Sequence, residues 1–212
     1  PFTLRRAVQQ ATRPQNLHLA VVDQSPAGGT PIDVAALAPA RVTVLNIDPL
    51  QARGPCWARA LAMTLFEGED WFFQIDSHME FDRGWDDCLI TQALALQREQ
   101  PDFVISSYPN AFEFEGGEPV RKAATHQVLG HVVKPGSVLA EDHPVLSFEA
   151  HPVASDTPVR GFHVGADCLF APGALVQRFP YDPYLYFHGE EQSLAARLFT
   201  HGWDIFHMPG LP

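Results

Sequence analysis

Long hydrophobic runs, basic stripes and paired cysteines are all missing from this 212-residue chain. No apolar stretch approaches the ~20 residues that span a bilayer. No secretory leader is visible either. The formal net charge is −11, with 14 Lys and Arg against 25 Asp and Glu. Nothing gathers into a basic stripe, which argues against binding a nucleic-acid backbone. An acidic protein can still bind a polyanionic ligand where a metal cation supplies the positive charge locally. The three cysteines, Cys56, Cys88 and Cys168, are odd in number and far apart. They form neither a disulfide framework nor a zinc-finger pattern. They read as reduced thiols packed like small hydrophobes, which suits a cytoplasmic setting. The nucleophile elbow Gly-x-Ser-x-Gly, the P-loop and His-Glu-x-x-His are also absent.

What is present is a globular composition, 46% hydrophobic and 18% charged, in a chain long enough for one full core. Thr3 can cap a helix with Leu4, Ala7, Val8 and Ala11 on one face. Strands are expected over residues 17–22 and 42–47, each ending on an acid, Asp23 and Asp48. Pro55 suits the first turn of a helix whose inner stripe is Ala58, Leu61, Ala62 and Leu65, with Arg59 beside it. A third strand covers 71–75, a helix follows around Leu89, Ala93 and Leu96, and a fourth strand covers 103–106. Strands alternating with helices indicate βαβ units and a mostly parallel sheet. Such a fold normally opens on a strand. A helix stands first here, so the chain is expected to be truncated at its amino end.

Between residues 108 and 159 the rhythm breaks. Phe112 and Phe114 alternate with Glu113 and Glu115 before Gly116-Gly117, and prolines recur. Irregular structure with one or two short strands, such as 128–133, is expected. It either covers the substrate or is a peripheral insertion. Order returns with a strand over 161–170, a short helix at 174–178 and a helix opened by His188-Gly189-Glu190-Glu191. Gly202 caps that helix, and a short strand covers 203–207.

The chemistry is expected where the third strand ends. Apolar Phe72-Phe73-Gln74-Ile75 runs straight into Asp76-Ser77-His78. In open α/β sheets ligands bind just outside the carboxyl ends of strands. Alternate residues of an extended segment face the same way, so Asp76 and His78 can share one ion. A carboxylate with an imidazole suits Mn²⁺ better than Ca²⁺. The competing reading is a helix-capping Asp beside a surface His. Arg53-Gly54-Pro55 can hold an anion at a helix start, or Arg53 can simply pair with a nearby acid. Glu190-Glu191 either binds sugar hydroxyls or sits where the helix dipole favours acids. Tyr184, Tyr186, Phe187 and His188 before them supply an aromatic wall. Gly165-Ala166 either lets a sugar ring approach the backbone or packs a strand tightly. His18, His126, His131, His143 and His151 have no spacing that identifies a site. His163, His201 and His207 lie in the half of the chain expected to carry the site.

Taken in order, Arg53-Gly54-Pro55, Ala58-Arg59-Ala60-Leu61-Ala62 and Gln74-Ile75-Asp76-Ser77-His78 form a pattern. It continues through Gly165-Ala166-Asp167-Cys168-Leu169-Phe170-Ala171 and Phe187-His188-Gly189-Glu190-Glu191 to Gly202-Trp203-Asp204. This pattern resembles the polypeptide α-N-acetylglucosaminyltransferases, whose best-known members act on a hydroxyproline of the adaptor Skp1. More distantly it is similar to the mucin-type polypeptide N-acetylgalactosaminyltransferases. The resemblance covers residues 17–204 and is weakest over 108–159.

The resemblance implies an α/β GT-A fold, a Rossmann-like, mostly parallel central sheet flanked by helices. It implies one domain over 1–212, cut at both ends. Residues 1–107 would form the nucleotide-binding half and 108–212 the sugar and acceptor half. The donor would be UDP-GlcNAc or a related UDP-hexosamine, and the cofactor Mn²⁺ or another divalent cation. A hydroxyl on a protein or peptide would be the acceptor, with anomeric configuration retained. Asp76 and His78 would be metal ligands, with His207 as a possible third unless it is cut away or replaced by water. Arg53, Gly54, Arg59, Asp76, Ser77, His78, Gly165, Ala166, Glu190 and Glu191 would bind the donor, and Asp76 and Glu190 would be catalytic. Two other readings stand beside this one. The first is an inactive sugar-nucleotide or glycan-binding module on the same fold. The second is a metal-dependent phosphodiesterase, which needs more ligands around Asp76 than the sequence places.

Overall fold

The computed structural model describes residues 2–121 and 128–210, so His126 lies outside it. The chain runs α1 (Phe2–Gln10), β1 (His18–Asp23), β2 (Arg41–Asn46), α2 (Pro55–Met63), β3 (Trp71–Ile75), α3 (Trp85–Gln97) and β4 (Phe103–Ser106). It continues with β5 (Phe112–Glu115), β6 (Glu118–Arg121), β7 (Val128–Val133), β8 (Phe148–Val153) and β9 (Val159–Gly161). The last elements are β10 (Cys168–Pro172), α4 (Ala174–Arg178), α5 (Glu190–Thr200) and β11 (Asp204–His207). None of the described helices is long and apolar enough to cross a membrane. All three cysteines are free.

The central sheet has the order β3-β10-β4-β11-β9. It is mixed. β10 runs antiparallel to both of its neighbours, β3 and β4, and β9 runs antiparallel to β11. Only β4 and β11 are adjacent and parallel here, while β1 and β2 form a separate parallel pair. β3, β4 and β11 nevertheless share one direction, because β10 reverses twice between β3 and β4. Their carboxyl ends therefore meet at one end of the sheet, bringing Asp76, Ser107 and Met208 to a common rim.

Alternation along the strands builds a core on each face. Val104, Leu169, Ala171 and Ile205 pack with Cys56 and Met63 of α2, Leu175 of α4, and Leu194 and Leu198 of α5. Phe103, Ile105, Phe170 and Phe206 point the other way, toward Ala7 of α1 and Trp85, Leu89 and Ala93 of α3. The result is a helix–sheet–helix sandwich.

The sheet expected to be mostly parallel is mixed, because β10 and β9 run against their neighbours, and three further expectations change. The strand foreseen over 161–170 is two strands on different neighbours. β9 lies at the sheet edge on β11, β10 lies in the middle, and residues 162–167 cross between them. The irregular stretch holds two hairpins, β5–β6 and β7–β8. Gly116 and Gly117, at φ 61° and 91°, supply the two-residue turn of the first. Thr3 does not cap α1, which starts at Phe2. Its buried hydroxyl instead donates to the Ser77 carbonyl at 2.7 Å and accepts from the Met79 N–H at 3.0 Å.

Candidate functional site

β3 delivers Asp76 to the rim of the sheet. Register fixes its neighbour: Cys168 is paired with Ile75, so Asp167 and Asp76 leave the sheet side by side. Thr3 clamps the turn that follows, which carries Ser77 and His78. His78 Nε2 lies 4.0 Å from Asp76 Oδ2, with the imidazole largely exposed. Two donors bound to one ion at roughly 2.0–2.2 Å must lie within about 4.4 Å of each other. Asp76 and His78 meet that condition, and a carboxylate with an imidazole fits a divalent ion of the Mn²⁺ type. His207 does not join them. Its Nδ1 donates to the Ser106 carbonyl, and its Nε2 is buried against Gly161. Among the described residues no three His, Cys, Asp or Glu side chains converge as a metal cluster.

The other oxygen of Asp76 faces Arg59 of α2. The Arg59 guanidinium lies 3.5 Å from Asp76 Oδ1 and 3.3 Å from Glu190 Oε1, so one cation bridges two carboxylates from different elements. It also lies over the Tyr181 ring, 5.5 Å from the centroid. Burial pushes the Glu190 carboxyl above its ordinary value, with Glu191 adding repulsion and Arg59 opposing it.

Glu190 and Glu191 open α5 but do different things. Glu191 Oε1 accepts the Ala166 N–H at 2.7 Å, and Oε2 lies 3.6 Å from His163 Nε2. Burial pushes Glu191 up, but the His163 hydrogen bond and the Ala166 N–H together hold it below its ordinary value. Gln74 Nε2 donates to the Ala166 carbonyl at 2.9 Å and to Tyr181 Oη at 3.0 Å. Both backbone groups of Ala166 are therefore fixed by side chains. Gly165 is held by Ser106, whose hydroxyl accepts its N–H at 2.8 Å. A Cβ on Gly165 would lie 3.0 Å from His131 Nε2 and closer still to Asp167 Oδ1. Glycine lets both of those side chains pack directly against the backbone.

Gly54, at φ 93°, caps the start of α2. A Cβ there would overlap the carbonyl oxygen of Tyr186. The aromatic segment before α5 thus lies directly over the Arg53-Gly54-Pro55 turn. Arg53 itself is exposed and sits 6.0 Å from the Trp57 ring centroid. It is not brought to Asp76.

Of the residues gathered near the site, His131 has no sequence signal, His163 has only its place in the chain, His207 is expected as a possible third ligand, and Asp167 stands within the family pattern. His131, His163 and His207 form a buried cluster, the His131 ring edge-on to His163 at 5.4 Å between centroids and tilted against His207 at 5.2 Å. Burial, reinforced by the neighbouring imidazoles, lowers His131 to about 3, so the ring is neutral. Asp167 is raised to about 6 by burial and by the charges of Glu191 and Asp76. A cavity of about 790 Å³ opens beside Asp76, His78 and Asp167 and runs past Tyr108 to Phe112 and Arg121 of the β5–β6 hairpin. Arg53, Gly54, Arg59 and Glu190 are not among its lining residues.

The comparisons with known proteins agree with this architecture. A family model described as glycosyltransferase (GlcNAc) matches residues 29–211. No curated protein matches the chain by sequence. Among solved structures, GalNAc-T7 with UDP, GalNAc and Mn²⁺ is similar with a TM-score of 0.70 at 13% identity. The match covers 96% of this chain and 38% of that one. At that identity the likeness is one of fold, a GT-A glycosyltransferase fold, and the chain spans well under half of its structural relative.

Proposed function

The chain belongs to the glycosyltransferase (GlcNAc) family, and from that premise we propose that it moves N-acetylglucosamine, or another hexosamine, from a UDP-sugar to a hydroxyl acceptor on a protein or peptide. The transfer is metal-dependent and retains the anomeric configuration. One observation carries the reading: a single arginine, Arg59, ties the metal-ligand candidate Asp76 to the sugar-binding candidate Glu190. The similar GalNAc-T7 structure contains UDP and Mn²⁺, which supports the same choice of donor and ion.

Asp76 and His78 would hold the ion, with diphosphate oxygens and water completing its shell. When bound, such an ion supplies Lewis-acid stabilisation of charge on the leaving diphosphate. The chain's own residues do the rest. The first-turn N–H groups of α2 would face the nucleotide phosphates, and Arg59 adds a fixed cation beside them. Gly165 and Ala166, immobilised by Ser106, Gln74 and Glu191, form a flat wall against the sugar ring. Glu190 accepts hydrogen bonds from the sugar hydroxyls and orients the ring. No described carboxylate takes the place of a covalent nucleophile in this reading, so the acceptor attacks from the face the diphosphate leaves.

Calorimetry of UDP binding with and without Mn²⁺, paired with UDP release from UDP-GlcNAc, tests the reading. Mn²⁺-dependent binding and turnover, both lost in Asp76→Asn, are expected. Metal-independent turnover, or full activity in that variant, overturns it.

A further inference from the structure

The cavity beside Asp76 and His78 is walled by the sheet rim, by the turn between β3 and α3, and by the β5–β6 hairpin. Most of its charges are already matched. Arg6 lies 2.6 Å from Glu80, and Arg121 lies 2.6 Å from Asp82, so each pair is neutral. The second pair also ties the turn to the hairpin. Asp76 shares Arg59 with Glu190. Asp167 is buried, with its Oδ1 against the Gly165 backbone. Arg83 differs from all of these. It lines the cavity next to Asp82, it is exposed, and it has no carboxylate partner among the described residues.

Two uncharged side chains of the same wall are also free. The Tyr108 hydroxyl and the Asn110 amide make no hydrogen bond among the described residues. Tyr108 is 40% exposed, yet it is held in place. His131 backs its ring at 5.3 Å between centroids, and its N–H donates to the Leu129 carbonyl. A side-chain amide donates and accepts as a peptide backbone does, and an aromatic face takes an apolar side chain. Arg83 adds a guanidinium, which forks onto a carboxylate. At the sheet rim Asp76 is matched by Arg59 and by the ion it would hold, so an uncharged hydroxyl fits there. A peptide with a hydroxyl and a nearby acid satisfies both places at once.

We propose that this cavity holds the acceptor as a peptide, with its hydroxyl at the rim beside Asp76 and an acidic side chain of the peptide on Arg83. The inference rests on the transferase reading above. Tyr108 packs against the peptide, and Asn110 bonds its backbone. In the step, the anomeric carbon–oxygen bond to the diphosphate breaks and a bond from the anomeric carbon to the acceptor oxygen forms. The hydroxyl proton leaves on the departing diphosphate. Arg83 takes no part in bond making and selects which hydroxyl is presented.

The test uses UDP-GlcNAc with Mn²⁺ and glycine-spaced peptides that carry serine, threonine or hydroxyproline near a Glu, a Gln or a Lys. Wild type is expected to use the Glu peptides with a kcat/KM roughly fivefold above the Gln peptides. The difference should lie in KM and shrink as salt rises. Arg83→Glu should reverse the order, so that Lys peptides are used in preference to Glu peptides, and Arg83→Lys should keep the wild-type order. Glu and Gln peptides used equally by wild type overturn the assignment. So does an order that survives Arg83→Glu, because a merely structural role lowers the use of all peptides alike. Hydrolysis of UDP-GlcNAc with transfer to none of the peptides overturns the peptide acceptor. A wild type that binds UDP with Mn²⁺ but neither hydrolyses UDP-GlcNAc nor transfers its sugar overturns the transferase reading itself, and this inference with it.

Discussion

The hydroxyl of Thr3 hydrogen-bonds the Ser77 carbonyl at 2.7 Å across 74 residues of sequence. The same oxygen takes the Met79 N–H, so the first helix holds the turn that presents His78. Thr3→Val keeps the shape and removes both bonds. It is expected to cost about 1–3 kcal/mol, since buried backbone groups lose their partners. It should also weaken Mn²⁺-dependent UDP binding, because His78 is no longer held near Asp76. Thermal unfolding and calorimetry on the same variant check the two effects.

Gly54→Ala probes the opposite end of the site. Its φ of 93° disfavours any side chain, and the added carbon would meet the Tyr186 carbonyl. Backbone strain alone costs about 1–3 kcal/mol, and the overlap must also push the aromatic segment off the α2 start. The expected result is a lowered melting temperature together with loss of UDP binding. Normal UDP affinity in a stable Gly54→Ala protein would show that the aromatic segment need not lie over the turn.

The legible parts of this molecule are those specified locally. The apolar run ending at Asp76 reads as a strand surfacing into a site, and β3 ends at Ile75 as expected. Residues 128–133 are a strand in both sequence and structure. Gly54 and Pro55 mark the helix start correctly. What could not be read depends on pairing between distant segments. The insertion of β10 between β3 and β4 makes the sheet mixed and sets Asp167 beside Asp76. A lone His has no periodicity, so His131 carried no signal, and Asp167 stood only as one residue of the family pattern until register set it beside Asp76. Pro119 lowers the strand signal of β6, and its hairpin shows only once Phe112 pairs with Arg121.

His131 predicts a pH dependence of stability. Its ring is held neutral, with the pKa lowered from 6.5 to about 3. Between these values the unfolded chain binds a proton that the folded chain refuses, so stability falls as pH drops through that window. Asp167 acts oppositely. Raised from 3.8 to about 6, it holds a proton that the unfolded chain has lost, so its contribution falls as pH rises from 3.8 to 6. Denaturant titrations from pH 3 to 7 should show His131→Asn flattening the acid limb, and Asp167→Asn gaining relative stability above pH 6. A His131→Asn protein as acid-sensitive as wild type would show that the buried imidazole is not the group responsible.

Arg59 separates the ion from the sugar nucleotide in a way mutation can expose. Its guanidinium is shared between Asp76 and Glu190, at 3.5 and 3.3 Å, and its side chain is mostly buried. A fixed positive charge this close to Asp76 opposes a divalent cation arriving alone, but attracts the diphosphate that arrives with it. Arg59→Met should therefore tighten Mn²⁺ binding in the absence of UDP while weakening UDP binding by about tenfold or more. It also strands the buried Glu190 carboxylate, so Arg59→Met should be less stable than the Arg59→Met/Glu190→Gln double variant. The cycle formed with Glu190→Gln gives their coupling. Lysine is not a substitute, because a point charge cannot fork across two carboxylates, and Arg59→Lys should recover stability better than it recovers UDP affinity. If Arg59→Met instead weakens Mn²⁺ and UDP binding equally, the arginine only braces the pocket and makes no charge-specific contribution.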